Sequence, residues 1–232
     1  MSEFETLRKI TDINVPLSYY TGILGMPGLL AHVGLFQSRP LINEECVYVS
    51  AALGAVGQLV GQFAKAIGCY VVGSAGSNEK VDLLKSKFGF DGALEHDLDQ
   101  SVKEYFLEGI DMYFDNVGNV GGVVLDAVLL NMKDNGRISV CGMISQYNKD
   151  EPEIVKNLFC LVLECIEMKG FMVFDFWDLY PYFLEATIRR IKEGEIVYVE
   201  DIVEGLENAP SALIGLFTGK NIGKQIVLVS CE

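Results

Sequence analysis

Short β-rich runs alternate with single helical stretches along most of this sequence, and that alternation limits the folds open to it more than any other feature. Val47-Tyr48-Val49-Ser50 is a short strand. After it, Val56, Leu59, Val60, Phe63, Ala64 and Ile67 recur at helical spacing and so share one face. Gly68 is placed to end that helix. A second strand over residues 70–73 follows at once. The pattern then repeats: a helix over about 79–88, a weak strand near Ala93, a helix near 101–107, a strand over 110–114, a helix near 123–131 and a strand over 137–141. A strand near 169–173 and a helix over 179–193 follow, with Gly194 as the stop. Strands joined by single helices of this length pair in parallel, because parallel strands need long crossovers. The expected fold is therefore α/β, a doubly wound parallel sheet of the Rossmann type.

The flanks differ. Residues 1–20 are irregular and polar, and an apolar helix opens at Gly25-Met26-Pro27-Gly28 and runs through Leu35. At the other end a strand over 196–200, a short helix over 210–217 and a strand over 225–229 are expected, with nothing in the pattern to say which sheet they join. The division this suggests is a linker over 1–20, a dinucleotide-binding domain over 21–190 and a distinct C-terminal segment over 191–232.

Composition removes several classes of function. The formal charge of −14 sets the chain against a phosphate backbone, since no basic stripe offsets it, and nucleic acid is not an expected partner. No apolar run approaches the roughly 20 residues that span a bilayer, so no membrane partner is expected either. The first residues, Met1-Ser2-Glu3-Phe4-Glu5, have neither a basic nor an apolar leader region, and the cytoplasm is the expected address. The six cysteines are scattered without CxxC spacing, which leaves them as thiols of a reducing compartment and gives no metal site. His32 and His96, the two histidines, sit in distant segments and are assigned no chemistry.

Chemistry enters at Ser50-Ala-Ala-Leu-Gly-Ala-Val-Gly57, between the first strand and the long helix. A dinucleotide fold puts its glycines there: Gly54 lets backbone pass close to a pyrophosphate and Gly57 lets the helix approach the strand. The N–H groups and positive end of the helix then face the anion. Ala52 stands where the first glycine of GxGxxG would be, so a tight turn without a ligand is the competing reading. At the end of the second strand, where NAD-binding folds carry an acid for the ribose hydroxyls, the sequence reads Gly73-Ser-Ala-Gly-Ser-Asn-Glu-Lys80. No acid stands at the strand end and Lys80 lies close by, which favours NADP(H) over NAD(H). An ordinary solvated lysine is the plain alternative.

These residues resemble the zinc-independent medium-chain dehydrogenase/reductase family, and within it the plant-type NADP-dependent alkenal double-bond reductases related to the prostaglandin and leukotriene reductases. The resemblance runs from about Val15 to Val229. It rests on Pro16-Leu-Ser-Tyr-Tyr-Thr-Gly-Ile-Leu-Gly-Met-Pro-Gly28, Gly54-Ala-Val-Gly57, Gly73 to Lys80, Phe114-Asp-Asn-Val-Gly118, Val140-Cys-Gly-Met-Ile-Ser-Gln-Tyr-Asn148 and Gly219-Lys-Asn-Ile-Gly-Lys224. The resemblance implies that Gly54, Ala55, Val56 and Gly57 hold the pyrophosphate of NADP(H) and that Lys80 approaches its 2′-phosphate. It further implies that Asn116, Cys141 and Tyr147 line the cofactor groove, and that Phe171, Met172, Val173 and Asn221 close around the nicotinamide end. The implied reaction delivers hydride to the β-carbon of an α,β-unsaturated carbonyl. Tyr147 is the catalytic residue expected to donate to the developing oxyanion. A tyrosine merely packed over a loop is the alternative.

The chain departs from this pattern in places. Leu53 replaces a small hydroxyl residue and is expected to crowd the turn. Leu30-Ala31-His32 stands for Thr-Ala-Tyr, His96 stands for a tyrosine, and residues 38–45 are irregular. The resemblance also implies that most of an N-terminal catalytic domain is missing. Residues 191–232 then read as the remnant of that GroES-like domain, and its strand edges, left without partners, are expected to drive homodimers or self-association. Impaired reduction of a small-molecule enone is the expected function, with a non-catalytic NADP(H)-binding or interaction protein as the alternative.

Overall fold

The computed structural model describes residues 9–10, 14–95, 98–118, 123–151 and 153–230, with no side-chain description for 98–101. Strands β1 (Cys46–Val49), β2 (Tyr70–Ala75), β3 (Gly92–Glu95), β4 (Ile110–Asp115), β5 (Met132–Val140) and β6 (Glu167–Gly170) form one parallel sheet in the order β3-β2-β1-β4-β5-β6. Helices α2 (Gly57–Ile67), α3 (Asn78–Ser86), α4 (Leu98–Tyr105), α5 (Val124–Leu129) and α6 (Cys160–Leu163) make the crossovers. The chain winds outward from β1 to β3, returns, and winds outward on the other side from β4 to β6. The strand order therefore reverses between β1 and β4, and a crevice opens at their carboxyl ends.

Period-two alternation splits the apolar run of β1 between the two faces of the sheet. Val47 and Val49 join the cluster under α1 (Met26–Phe36) and α2, whereas Tyr48 joins the cluster under α4 and α5. Val71 and Val72 of β2, and Met112 and Tyr113 of β4, divide in the same way. A parallel sheet covered on both faces needs such continuous apolar strands. Gly68 ends α2 as expected. It sits at φ +95°, a left-handed conformation that glycine adopts without steric cost, and Cys69 N–H reaches back to Ala64 O at 3.2 Å.

A buried ion pair ties the start of β1 to β5. Arg137 donates to both Glu45 carboxylate oxygens, at 3.1 and 2.7 Å. Burial alone would raise the Glu45 carboxyl. Arg137, the Ile42 N–H and Arg39 outweigh it and hold the group below its ordinary range.

The expected elements are present with shifted bounds. β6 starts two residues before the expected 169 and ends before Phe171. β5 begins at Met132, and Asn135, at φ +59°, interrupts its early part. The tail shows the clearest difference. Residues 196–198, expected as part of a strand, have no strand beside them among the described residues, and Val199 meets one only through its O, which accepts the Lys224 N–H at 2.9 Å. Gln62 instead accepts from Val197 N–H at 2.8 Å and donates to Val197 O at 2.8 Å. Gln58 does the same for Val199, at 2.9 and 3.1 Å. Two buried glutamines of α2 thus take the place of a neighbouring strand. The strand proper is β7 (Glu200–Glu204), which pairs in parallel with β8 (Lys224–Leu228) across α8 (Ala209–Phe217). The expectation that these strands lack partners is corrected: each is the other's partner.

Candidate functional site

The turn after β1 is built for close approach. Ser50 N–H bonds Phe114 O at 3.2 Å and Ala52 N–H bonds Ser74 O at 2.8 Å, so the turn hangs from β4 on one side and β2 on the other. Ala51 takes φ +46°, and Gly54 N–H closes back onto Ala51 O at 2.9 Å. A Cβ on Gly57 would lie 2.5 Å from Ala51 O and 2.6 Å from Ala52 Cα, so only glycine lets α2 start this close to β1. A Cβ on Gly54 would meet nothing but Ala51 O, at 3.2 Å, which leaves the surface above it open. Among the described residues no acceptor takes the N–H groups of Val56 and Gly57, and no side chain caps the helix. Unclaimed donors at the positive end of a helix fit an anion. Ala55 and Val56 are half-exposed around them. Leu53, 3% exposed, points into the core beneath the turn and does not crowd it, contrary to expectation.

A second group of residues joins the ends of β1, β4 and β5. Asn116 N–H bonds Ser50 Oγ at 3.0 Å, and its side-chain amide donates to Ser50 O at 2.7 Å. The Cys141 thiol donates to Asn116 Oδ1 at 3.0 Å. Burial, with Asp115 adding to it, pushes that thiol far above its ordinary range, so Cys141 stays protonated. Beneath them Asp115 is fully buried. Its Oδ1 accepts from Tyr113 OH at 2.9 Å, Val117 N–H at 3.0 Å and Gly118 N–H at 2.8 Å. Burial raises the Asp115 carboxyl despite these bonds. Sequence reasoning quoted the Phe114–Gly118 segment for Asn116 and passed over Asp115. An acid at the end of an apolar strand was the available signal.

Tyr147 lies on the turn beyond β5, 64% exposed, with its hydroxyl oxygen accepting the Met143 N–H at 3.3 Å. A Cβ on Gly142 would lie 3.2 Å from that hydroxyl, which places it over the backbone next to Cys141. Asn116, Cys141 and Tyr147 are thus brought together. After β6, Phe171 is partly buried against the core, Met172 is exposed and Val173 is buried in the core.

Lys80 and Asn221 come together through the loop before β8. Lys80 Nζ donates to Gly219 O at 2.5 Å, and the Asn221 amide donates to Gly223 O at 2.7 Å. Gly223 N–H in turn bonds Leu53 O at 3.1 Å, and Gly223 bridges Gly54. This loop links the end of β2 to the turn after β1, a contact the sequence does not show. Ser77, before α3, caps nothing with its hydroxyl. Of the departures, Leu30 packs partly buried against the core and His32 lies away from these residues, among Phe36, Phe63 and Phe183. His96 is outside the described residues. Among the described residues no three His, Cys, Asp or Glu side chains gather as metal ligands would.

Known proteins share this arrangement. A family model described as zinc-binding dehydrogenase matches residues 55–189. The 2-alkenal reductase (NADP(+)-dependent) of Nicotiana tabacum is 63% identical over 232 residues, covering 98% of this chain and 67% of that protein. The (+)-pulegone reductase of Mentha piperita is 59% identical over 230 residues, covering 97% of this chain and 66% of that protein. Among solved structures, CurA of Vibrio vulnificus in complex with NADPH superposes with a TM-score of 0.90 at 39% identity, over 97% of this chain and 69% of that one. The chain thus spans about two thirds of the length of the relatives it matches. Matches of this extent, on the turn, the strand ends and the tail alike, show that the chain belongs to the medium-chain dehydrogenase/reductase family, in the group of the NADP-dependent alkenal double-bond reductases.

Proposed function

We propose that the chain binds NADP(H) across the carboxyl ends of β1, β4 and β5 and serves the reduction of the carbon–carbon double bond of an α,β-unsaturated carbonyl. The observation that carries this is the unclaimed pair of N–H groups at Val56 and Gly57, placed where the strand order reverses. Gly54, Ala55, Val56 and Gly57 hold the pyrophosphate. Lys80, beside the free hydroxyl of Ser77 and with no acid at the end of β2, meets the 2′-phosphate. Asn116 and Cys141 form the floor of the groove, and Phe171, Met172, Val173 and Asn221 border its nicotinamide end. NADPH, when bound, would supply hydride to the β-carbon, and the α-carbon of the resulting enolate takes a proton from water. Tyr147 accepts the Met143 N–H, which leaves its own O–H proton to donate to the carbonyl oxygen as charge develops there. The reaction as proposed needs no zinc, and less than one zinc per chain is expected by elemental analysis.

A second reading, NADP(H) binding without turnover by residues 1–232 alone, is favoured by the exposure of Tyr147 and Met172, 64% and 61%. Bulk water reaches that side of the groove, and nothing on these residues holds an enone against Tyr147. Lost positioning can cost roughly 7–11 kcal/mol of barrier lowering. Titration with NADPH followed by an alkenal reduction assay separates the two. Saturable binding with turnover that falls on Tyr147→Phe supports the enzyme, binding without turnover supports the second reading, and absence of binding removes both.

The substrate side of the proposal is a small molecule, and the proposed compartment is the cytoplasm, on the composition given above. Self-association is proposed at the β6 edge rather than at the tail. β6 pairs only with β5 among the described residues, and Phe159, Val162 and Leu163 beside it are exposed.

A further inference from the structure

On the helical layer, α1, α2 and α7 (Tyr180–Lys192) line a cavity of about 320 Å³ that opens to solvent. Phe36, Phe63 and Phe183 form its apolar walls, and His32, Thr187 and Arg190 are its polar groups. It is separate from the nucleotide groove. Phe63 lies six residues along α2 from Gly57, about 9 Å by the rise of a helix.

The polar groups are not used up by the fold. The His32 ring touches Phe36, Phe183 and Phe63, with centroids 5.0, 5.7 and 6.4 Å away, and makes no side-chain hydrogen bond among the described residues. Burial first, and the Arg190 charge second, hold its imidazole below the ordinary range, so it is neutral at pH 7. The one ion pair of Arg190 among the described residues is with Glu195, and at 3.9 Å it is a loose one. Guanidinium donors therefore remain free. No carboxylate lines the cavity. Apolar walls, a cation paired only loosely with Glu195 and a neutral imidazole are complementary to one kind of small ligand: an anionic head on a short apolar body. The volume is at the small end of the roughly 300–1,000 Å³ of ligand pockets, which suits a short apolar body.

We propose that this cavity binds a short amphipathic monocarboxylate, its head on Arg190 and His32 and its apolar body among the three phenylalanines. Charge-assisted bonds to the head are roughly twice as strong as neutral ones, so a neutral analogue of equal length binds much less well. The test is calorimetric titration of the 232-residue chain with octanoate, then with octanol, then with octanoate under saturating NADPH. The sole tryptophan, Trp177, stacks on Tyr180 at 4.6 Å and offers a second, fluorescent readout at the start of α7. Expected are saturable binding of one octanoate, binding of octanol at least about tenfold weaker, and no change with NADPH. Arg190→Gln should weaken octanoate at least about tenfold, and Ala186→Phe, on the exposed part of the lining, should abolish it, both with unchanged melting temperatures. The proposal is overturned if octanoate does not saturate, if octanol binds as tightly, if NADPH displaces the octanoate, or if both folded variants bind like the parent.

Discussion

β1 and β4 run through the middle of the large sheet with an apolar cluster on each face, whereas β7 and β8 form a separate pair whose residues are mostly half-buried. The central strands are held by burial from both sides and by the Glu45–Arg137 pair. The outer pair is held to the rest of the molecule by its flanks: Ile196, Tyr198, Val199 and Ile222 pack on the core, and polar contacts run from Gln58 and Gln62 to residues 197–199, from Gly223 to Leu53, from Lys80 to Gly219 and from Ser18 to Glu200. Yet the loop that carries Asn221 belongs to the outer pair and rests on the turn after β1. The proposed site therefore joins a wall buried on both faces to a wall whose strands are half-buried, and the two should respond differently to substitution.

The largest effect is expected at the centre. Glu45→Gln leaves the 3%-exposed Arg137 charge without its carboxylate and should cost about 3–5 kcal/mol in urea unfolding. Acid should act on the same pair. The folded carboxyl lies below its ordinary range, so its stabilisation is complete above the unfolded value of about 4.3 and is lost as pH falls through the folded value. Unfolding measured from pH 7 downward should show a steeper acid loss in the parent than in the Gln variant. Equal slopes would detach the pair from the stability of the centre.

Gln62→Leu tests the outer wall. It strips both partners from Val197, which solvent can reach, at about 0.5–1.5 kcal/mol for each lost hydrogen bond. Amide hydrogen exchange should speed up across residues 224–228 while β1 and β4 keep their protection. A uniform loss of protection would show one cooperative unit and abolish the contrast. Lys80→Ala is expected to raise the NADPH dissociation constant about tenfold, or about 1.4 kcal/mol, with NADH nearly unchanged. Equal losses for both cofactors would remove Lys80 from the 2′-phosphate. The smallest effect on stability, within about 0.5 kcal/mol, is expected for Val162→Lys at the exposed β6 edge. Sedimentation velocity should nevertheless show fewer dimers; an unchanged dimer fraction would move the contact elsewhere.

Much of the fold was legible because its signals are local. The apolar run Val47–Val49, the helical spacing from Val56 to Ile67 and the glycine stop at Gly68 each lie within one element, and the structure repeats them nearly residue for residue. The Gly54–Gly57 turn was legible for the same reason: strand, glycines and helix follow one another along the chain. Asp115 was missed because its role depends on the backbone N–H groups that the turn after β4 aims at it, which no spacing reveals. Residues 196–200 were read as one strand because an extended apolar run looks the same whether its partner is a backbone or a glutamine side chain.

By itself the sequence determined the winding, since helices of this length between strands leave only parallel pairing, and it determined the tight turn after β1, since Gly57 is demanded by contacts within a few residues. The tertiary structure alone decided that Leu53 turns inward, that Lys80 meets the Gly219–Gly223 loop, that β7 and β8 pair with each other, and that His32 and Arg190 share a cavity. Each of these depends on side chains or strands brought together from segments up to 158 positions apart, as His32 and Arg190 are. Such contacts are set by the packing of whole layers, and local spacing in the chain does not encode them.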